Sequence, residues 1–304
     1  MEPVIERVIG DLHQALDRGE FQHGPYRLLR IHEPKRRLIA AARVEDRIVH
    51  HAVCRVLSPL FDPSLVDTTY ACIQGRGSHR AVLRFIRAAR RYGHVLLLDV
   101  RRYFPSIDRG ILMDLVARRL KDHALLRLLE NIAESGQGIY QTSGVADFLG
   151  FEPGFPPEGY GLPIGNLTSQ WWGNHYLSGV DHFVKRELKI PHYQRYMDDM
   201  TLFSNEPAQL EDARAAIGEW LDEKRHLRLK KPNVAVRTTD RDVTYLGYRV
   251  GRRGARAGRS MLSRMEQRIG QRVLFGDIDG VEHTVNSYRG VWFFMDVIPT
   301  SRRH

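Results

Sequence analysis

The chain runs to 304 residues, more than one ordinary domain holds and enough for one large mixed domain or a few subdomains sharing a core. Hydrophobic residues make up 42%, which argues for a globular protein, and 46 Lys and Arg against 36 Asp and Glu leave a formal charge of +10, the balance of a protein that holds a polyanion. Nucleic acid is the leading partner and a membrane is not, because no run could span a bilayer, the charged N-terminus MEPVIERVIGDLH lacks a signal-peptide core, and no lipidation motif or amphipathic anchor is apparent.

From Val44 to Phe61 the apolar residues Ile48, Ala52, Val56 and Leu60, flanked by Val49, Val53 and Leu57, recur at helical spacing and predict a buried helix. Cys54 in this helix and Cys72 beyond it sit in segments that read as core. They lack the spacing of a zinc site or redox dithiol, so a reduced, soluble, cytoplasmic protein is expected. Ser78 is placed to cap a second helix running to Gly93, with Ala81, Val82, Phe85 and Ile86 inward and Arg80, Arg84, Arg87 and Arg91 along another face. That basic stripe is either a solvated surface or part of the nucleic-acid path. His94 to Asp99 is a short apolar run ending in an acid and reads as a buried central strand. Helical spacing returns from Ile111 to Ile132, and the Gly- and Pro-rich stretch from Gly136 to Pro163 interrupts it as an ordered loop or flexible insertion. Leu167 to Leu188 reads as a helix, Tyr193 to Met197 and Met200 to Phe203 as a strand pair around Asp198 and Asp199, Pro207 to Arg225 as a helix, and Val243 to Val250 as a strand. GRRGARAGRS, starting at Gly251, is a candidate hinge or phosphate-contacting loop. The tail is helical, with Met261, Met265, Ile269 and Val273 on one face ahead of the aromatic segment SYRGVWFFM.

RYMDDMTLF sets Asp198 and Asp199 side by side between apolar runs, and VLLLD ends on a third acid, Asp99. Buried charge is costly unless it is paired or binds a metal. Nucleotidyl transfer uses two divalent ions about 3.5 to 4 Å apart, one activating the attacking 3′ hydroxyl and one neutralising the leaving pyrophosphate, and carboxylates from separate strands suit that task. Magnesium takes oxygen ligands and keeps substrate phosphates in its shell, so Asp99 and Asp198 as principal ligands with Asp199 as auxiliary suffice for two Mg²⁺ ions, with Mn²⁺ as a substitute. Adjacent acids are equally acceptable in a plain hairpin turn. Two further segments separate these readings. In LLLDVRRYFPSID, Phe104 follows the strand-ending acid by five residues, and in GLPIGNLTSQ a glycine-containing turn leads into a helix.

In this order the three blocks resemble the palm of reverse transcriptases, which carries an aspartate followed by an aromatic gate, a small-residue nucleotide-pocket motif, and Tyr-X-Asp-Asp. The resemblance covers nearly the whole chain. It implies an α+β polymerase fold with fingers over 1–92, an antiparallel palm sheet over 93–250 with a fingers or loop insertion around 111–160, and a short helical thumb over 251–304. It implies RNA-directed DNA polymerase activity, with Asp99, Asp198 and Asp199 as catalytic metal ligands joined by the backbone carbonyl of Val100. Phe104 would be the steric gate against a ribonucleotide's 2′ hydroxyl, a role compatible with being a core phenylalanine. EPKRRLIAAARVEDRIVHHAV resembles the fingers segment of bacterial reverse transcriptases, which puts Lys35 and Arg37 where the family contacts the incoming triphosphate and Arg43 near the templating base. Gly165 would let the backbone approach the nucleotide closely. Tyr245, Leu246, Gly247 and Tyr248 would form the primer-grip turn, although an ordinary strand explains them almost as well. Many polymerases place a pyrophosphate-protonating lysine after the catalytic hairpin. The aligned position here is Asn233, with Lys230 and Lys231 just before it, so that acid is unassigned.

The block from Ile164 to Gln170 is similar to that of the diversity-generating retroelement group, which has an aliphatic residue before the glycine and ends in Ser-Gln, where most reverse transcriptases have Gln-Gly and Ser-Pro. At 304 residues the chain leaves no room for maturase and endonuclease domains, and no RNase H region follows the thumb. The resemblance implies a bacterial, archaeal or phage enzyme that uses dNTPs and a DNA or RNA primer to copy a template-repeat RNA into cDNA. It also implies misincorporation opposite template adenines and a small basic accessory protein as partner. Ile164, with Ser169 and Gln170 as template or fidelity contacts, either loosens selection by removing an amide near the incoming nucleotide or fills a pocket. A defence-type, retron or intron-derived reverse transcriptase would share the chemistry with another RNA. A non-catalytic RNA-binding scaffold is disfavoured by the presence of all three acids and the gate.

Overall fold

A computed structural model describes residues 2–32 and 35–297. The chain opens with helix α1 (Glu2–Asp17), strands β1 (Arg27–Ile31) and β2 (Arg37–Ala41), helices α2 (Val44–Phe61) and α3 (Ser78–Arg91), and strand β3 (His94–Asp99). Helices α4 (Arg109–Ala117), α5 (His123–Glu134), α6 (Val145–Leu149), α7 (Leu167–Tyr176) and α8 (Ser178–Arg186) follow, then strands β4 (His192–Tyr196) and β5 (Asp199–Ser204) and helix α9 (Pro207–Arg225). Strands β6 (Arg237–Thr238), β7 (Val243–Tyr245), β8 (Tyr248–Gly251) and β9 (Gly254–Ala257) precede helices α10 (Arg259–Leu274) and α11 (Ile278–Val297).

Several elements depart from expectation for identifiable reasons. α2 has its predicted bounds but turns a different stripe inward: Val49, Val53 and Leu57 are buried with His50, Cys54 and Phe61, while Ile48, Val56 and Leu60 stay exposed. Periodicity fixes the spacing of a stripe, and the packing partner chooses between neighbouring stripes. Cys72 is not in the core; it sits exposed at φ +52. Ser78 is the first helical residue of α3 and does not cap it, because Gly77, at φ +121, takes the N-cap position. The helix expected over Ile111 to Ile132 is two helices. Asp122 accepts from the backbone N–H groups of Ala124 and Leu125 at 2.9 and 3.0 Å and starts α5 afresh. Leu167 to Leu188 likewise divides at Leu177. Val243 to Val250 is a hairpin rather than one strand, with Leu246 and Gly247 both at positive φ between the paired Tyr245 and Tyr248. The Gly251 segment is no hinge: it folds back as β9, paired to β8 from Tyr248↔Ala257 to Gly251↔Gly254.

The chain forms two compact units. The first comprises Met1–Asp67, Asp99–Phe183 and Ala216–Pro232. In it the β1–β2 hairpin runs in register from Arg27↔Ala41 to Ile31↔Arg37, and Leu38 and Ala40 of β2 bury against Ile139, Tyr140 and Val145. The second comprises Thr68–Leu98, Val184–Ala215 and Asn233–His304. Its central sheet has the order β4-β5-β3-β6, with β4–β5 and β3–β6 antiparallel. The inward face of α3 packs there, Phe85 meeting Phe203 edge-on at 4.8 Å between ring centroids and stacking on Tyr245 at 5.1 Å. Phe294 of α11 stacks on His79 at 4.1 Å, which seats the last helix against the same core. Among the described residues no helix is long and apolar enough to cross a membrane.

Candidate active site

The acidic pair sits at a tight turn of the second unit. β4 and β5 pair up to Tyr196↔Asp199, which leaves Met197 and Asp198 as a two-residue turn. Met197 adopts φ +55, a conformation that costs a side-chain-bearing residue about 1–3 kcal/mol and persists only when its surroundings hold it. Part of that restraint comes from Arg195, whose fully buried guanidinium donates to the Met197 carbonyl at 2.9 Å. The Arg195 backbone is in turn bonded on both sides, its N–H to Thr68 O and its C=O to Tyr70 N, each at 2.9 Å. Gln194, also buried, ties the strand to α3 and β7 by donating to Ala81 O at 3.0 Å and to the Tyr245 hydroxyl at 2.9 Å. With Met197 tucked in, Asp198 and Asp199 are left half-exposed at the tip. Beside β5 in the sheet lies β3, whose last residue is Asp99.

In the first unit the chain leaving Asp99 pairs with Arg228 to Lys230. Val100 bridges Leu229 antiparallel, flanked by hydrogen bonds from Arg101 N to Arg228 O and from Lys230 N to Asp99 O, both 2.8 Å. In such a pair the Val100 N–H and C=O point away from Leu229, so the carbonyl that the resemblance implies for a metal shell is not consumed by the ribbon. The Lys230 ammonium forms an ion pair with the Asp99 carboxylate. Oxygen-only donors, one already drawing a cation, fit a hard divalent ion. Among the described residues, though, no cluster of three or more His, Cys, Asp or Glu converges on a single metal position. Phe104 follows in a short 3₁₀ turn, half-buried, its carbonyl accepting from Leu162 N at 2.9 Å. Its neighbour Tyr103 is buried and donates to Gly173 O of α7 at 2.5 Å.

The Ile164 to Gln170 block is fastened to the same unit at several points. Ala40 N donates to Ile164 O at 2.7 Å, and at Gly165 (φ +127) a Cβ would stand 2.8 Å from Ala40 O, so glycine is required here for contact with β2. Asn166, buried, donates to the Tyr26 hydroxyl at 2.6 Å, whose pKa burial pushes up to about 12, and Tyr26 in turn meets Ser135 at 2.8 Å. Thr168 meets His50 Nδ1 at 2.6 Å, His50 Nε2 meets His23 Nε2 at 3.0 Å, and His23 Nδ1 meets Gly24 O at 2.6 Å. Only a donor satisfies Gly24 O, so His23 carries Nδ1–H. Burial first, and His23 second, lower the His50 pKa to about 4. Asp46 closes the cluster by accepting from Gly24 N at 3.0 Å.

Of the other predicted contacts, Lys35, Arg37 and Arg43 are exposed on and around β2 and at the start of α2, while Ile164 and Gln170 are half-buried. Ser169 is fully buried. Tyr245 and Tyr248 are buried at the base of their hairpin, which presents Leu246 and Gly247 at its tip. Arg195, His23, His50 and Tyr26 escape sequence reasoning: their motifs carry no chemistry of their own, and only the fold turns them toward the turn and the Ile164 to Gln170 block.

The sequence pattern of the family described as "Reverse transcriptase (RNA-dependent DNA polymerase)" matches residues 31–250. "Protein YkfC" of Escherichia coli (strain K12) is 24% identical over 277 residues, taking in 81% of this chain and 72% of that protein. Apo telomerase from Candida tropicalis superimposes with a TM-score of 0.53 at 9% identity, over 87% of this chain and 55% of the telomerase chain. The latter likeness is one of fold, and this chain spans little more than half of the telomerase chain's length.

Proposed function

The chain belongs to the reverse transcriptase (RNA-dependent DNA polymerase) family and has that family's α+β fold, and from this premise we propose that it extends a DNA or RNA primer with dNTPs on an RNA template. The observation that carries the reading is the Tyr196–Asp199 segment, which forms a restrained turn beside the strand that ends on Asp99. Asp99, Asp198 and Asp199, with the Val100 carbonyl, would hold two Mg²⁺ ions. Bound there, they lower the cost of ionising the 3′ hydroxyl and of charge building on the pyrophosphate leaving group. The chain's own residues bind and orient. Lys35 and Arg37 meet the triphosphate, Arg43 approaches the templating base, and Gly165 with Ile164 shapes the nucleotide pocket. Phe104 gates against the 2′ hydroxyl, and the Tyr245–Tyr248 turn steadies the primer. The surface charge supplies backbone affinity that falls as salt rises. The test is primer extension on an RNA template: Asp198→Ala and Asp199→Ala should abolish Mg²⁺-dependent extension with an unchanged circular dichroism spectrum, and retained extension would overturn the metal assignment.

Within the family the reading is a diversity-generating retroelement enzyme, cytoplasmic, served by a small basic accessory protein and error-prone opposite template adenines. Its support is Ile164 before Gly165 and Ser169–Gln170 at the end of the motif. The docking of the Ile164 carbonyl on Ala40 gives the side chain a fixed place from which to act. Ile164→Gln is expected to lower misincorporation opposite adenine, read by sequencing extension products. An unchanged error spectrum refutes that role, and a pull-down that recovers RNA alone counts against the accessory protein.

A further inference from the structure

One face of the ribbon that carries Asp99 is lined with cations. Val100 and Leu229 turn their apolar side chains to the buried face, so Asp99, Arg101, Arg228 and Lys230 project from the other in two cross-strand pairs, Asp99 with Lys230 and then Arg101 with Arg228. The second pair lies about 7 Å farther along the ribbon. It opens into a cavity of about 650 Å³ walled by Arg101, Arg102, Arg228, Glu152, Phe155 and Tyr160. Arg102 leaves strand alternation through a left-handed φ of +49, and its guanidinium, packed over Phe151 and Phe155 at 4.6 and 4.9 Å, reaches the same carboxylate as Arg101. Glu152 bridges the two, one oxygen accepting from Arg101 at 2.6 Å and the other from Arg102. One carboxylate across two guanidinium groups leaves surplus positive charge, and the arrangement is that of a site for an anion offering two oxygens. Asp222 stands 3.5 Å from Arg228 with both side chains mostly exposed, a weak competitor. His226, at the far wall, is engaged by Asp108 and Tyr160, each at 3.0 Å.

We propose that this cavity is a pyrophosphate site, separate from the triphosphate contacts assigned to Lys35 and Arg37, that receives the product as it leaves the Asp99 centre; it rests on the polymerase reading above. In that reaction the 3′ hydroxyl gives up its proton to solvent water and the bond from the 3′ oxygen to the α-phosphorus forms. The bond from the α-phosphorus to the oxygen bridging it to the β-phosphorus breaks, and pyrophosphate leaves with that electron pair. Lys230, then Arg101 and Arg228, are the next cations along the ribbon face. Glu152 is the internal anion that the product displaces, and its return ejects pyrophosphate toward solvent.

The test is calorimetric titration of inorganic pyrophosphate into the full chain in EDTA, in a Lys35→Gln, Arg37→Gln background that removes the triphosphate contacts. Glu152→Gln, which frees both guanidinium groups, is expected to bind about tenfold tighter, and Arg101→Gln with Arg228→Gln about tenfold weaker. An affinity unchanged by Glu152→Gln overturns the proposal. So does a short single-stranded RNA that displaces pyrophosphate and gains the same tenfold from Glu152→Gln, since the cavity would then hold a nucleic-acid backbone. No extension is involved, so failure of the polymerase reading registers only in the Asp198 and Asp199 variants and failure of the cavity only in the calorimetry.

Discussion

Replacing Gly165 by alanine tests how the Ile164 to Gln170 block is held. A Cβ there would meet Ala40 O at 2.8 Å and the Ile39 Cγ2 at 3.2 Å, and the backbone stands at φ +127, which side-chain-bearing residues rarely adopt. The strain of that conformation is about 1–3 kcal/mol. Overpacking adds about 1–3 kcal/mol, at the upper end when the obstructing atom cannot move. Ala40 O belongs to β2, whose partner across the hairpin is Leu28, and Ala40 N is already bonded to Ile164 O at 2.7 Å, so yielding means breaking a strand pair or releasing the block. Reduced unfolded-state entropy returns about 0.4–1 kcal/mol, which, with overpacking near its upper end, leaves a net loss of about 3–6 kcal/mol. Gly138→Ala is the control: it too has positive φ, +78, but nothing lies within 4 Å of its Cβ, so only the left-handed cost of about 1–2 kcal/mol applies. Urea unfolding of both variants and the dNTP KM in primer extension form the assay. If the block lets go before the unit unfolds, the loss appears as a raised KM with a smaller change in midpoint. Equal effects from Gly138→Ala and Gly165→Ala on both readouts would refute the contact with β2.

Other outcomes follow from the same geometry. His50 has its folded pKa lowered to about 4 against an unfolded value near 6.5, so between those values the unfolded chain binds more protons. Stability should therefore fall as pH drops from about 6.5 to 4, by about 3 kcal/mol in total, and His50→Gln should flatten that slope in urea titrations across the window. A slope that survives the substitution would refute the assignment to His50. Removing the cap with Asp122→Ala should cost about 1 kcal/mol, read as a lower urea midpoint, because two backbone donors at 2.9 and 3.0 Å lose their acceptor. Arg195→Met keeps the length of a fully buried side chain but leaves the Met197 carbonyl without that donor. Extension should fall by more than tenfold with a fold that remains cooperative, the loss expected when a positioning contact at the proposed reacting centre is removed.

The family of this protein was legible in its sequence because short blocks stand in the order that family has them: Asp99 with Phe104 five residues on, Ile164 to Gln170, and Tyr196 to Asp199. Local periodicity likewise fixed the extent of α2, β3 and α9, since each is a continuous segment whose hydrogen bonds or apolar spacing lie within it. What failed was information held by partners distant in sequence. Whether Ile48 or Val49 faces inward depends on which surface α2 meets. The break at Asp122 is a capping bond that outweighs a continuous apolar pattern, and the Gly251 segment is a strand because β8 is there to pair with it. Only tertiary structure could show that Gly165 is pressed against Ala40, that Arg195 holds the Met197 carbonyl, and that His23, His50 and Thr168 are joined by hydrogen bonds. Such contacts form between residues dozens to more than a hundred positions apart, or through a buried side chain whose direction no local pattern records. Sequence determined the family and its motif blocks, and the fold decided what holds those blocks still.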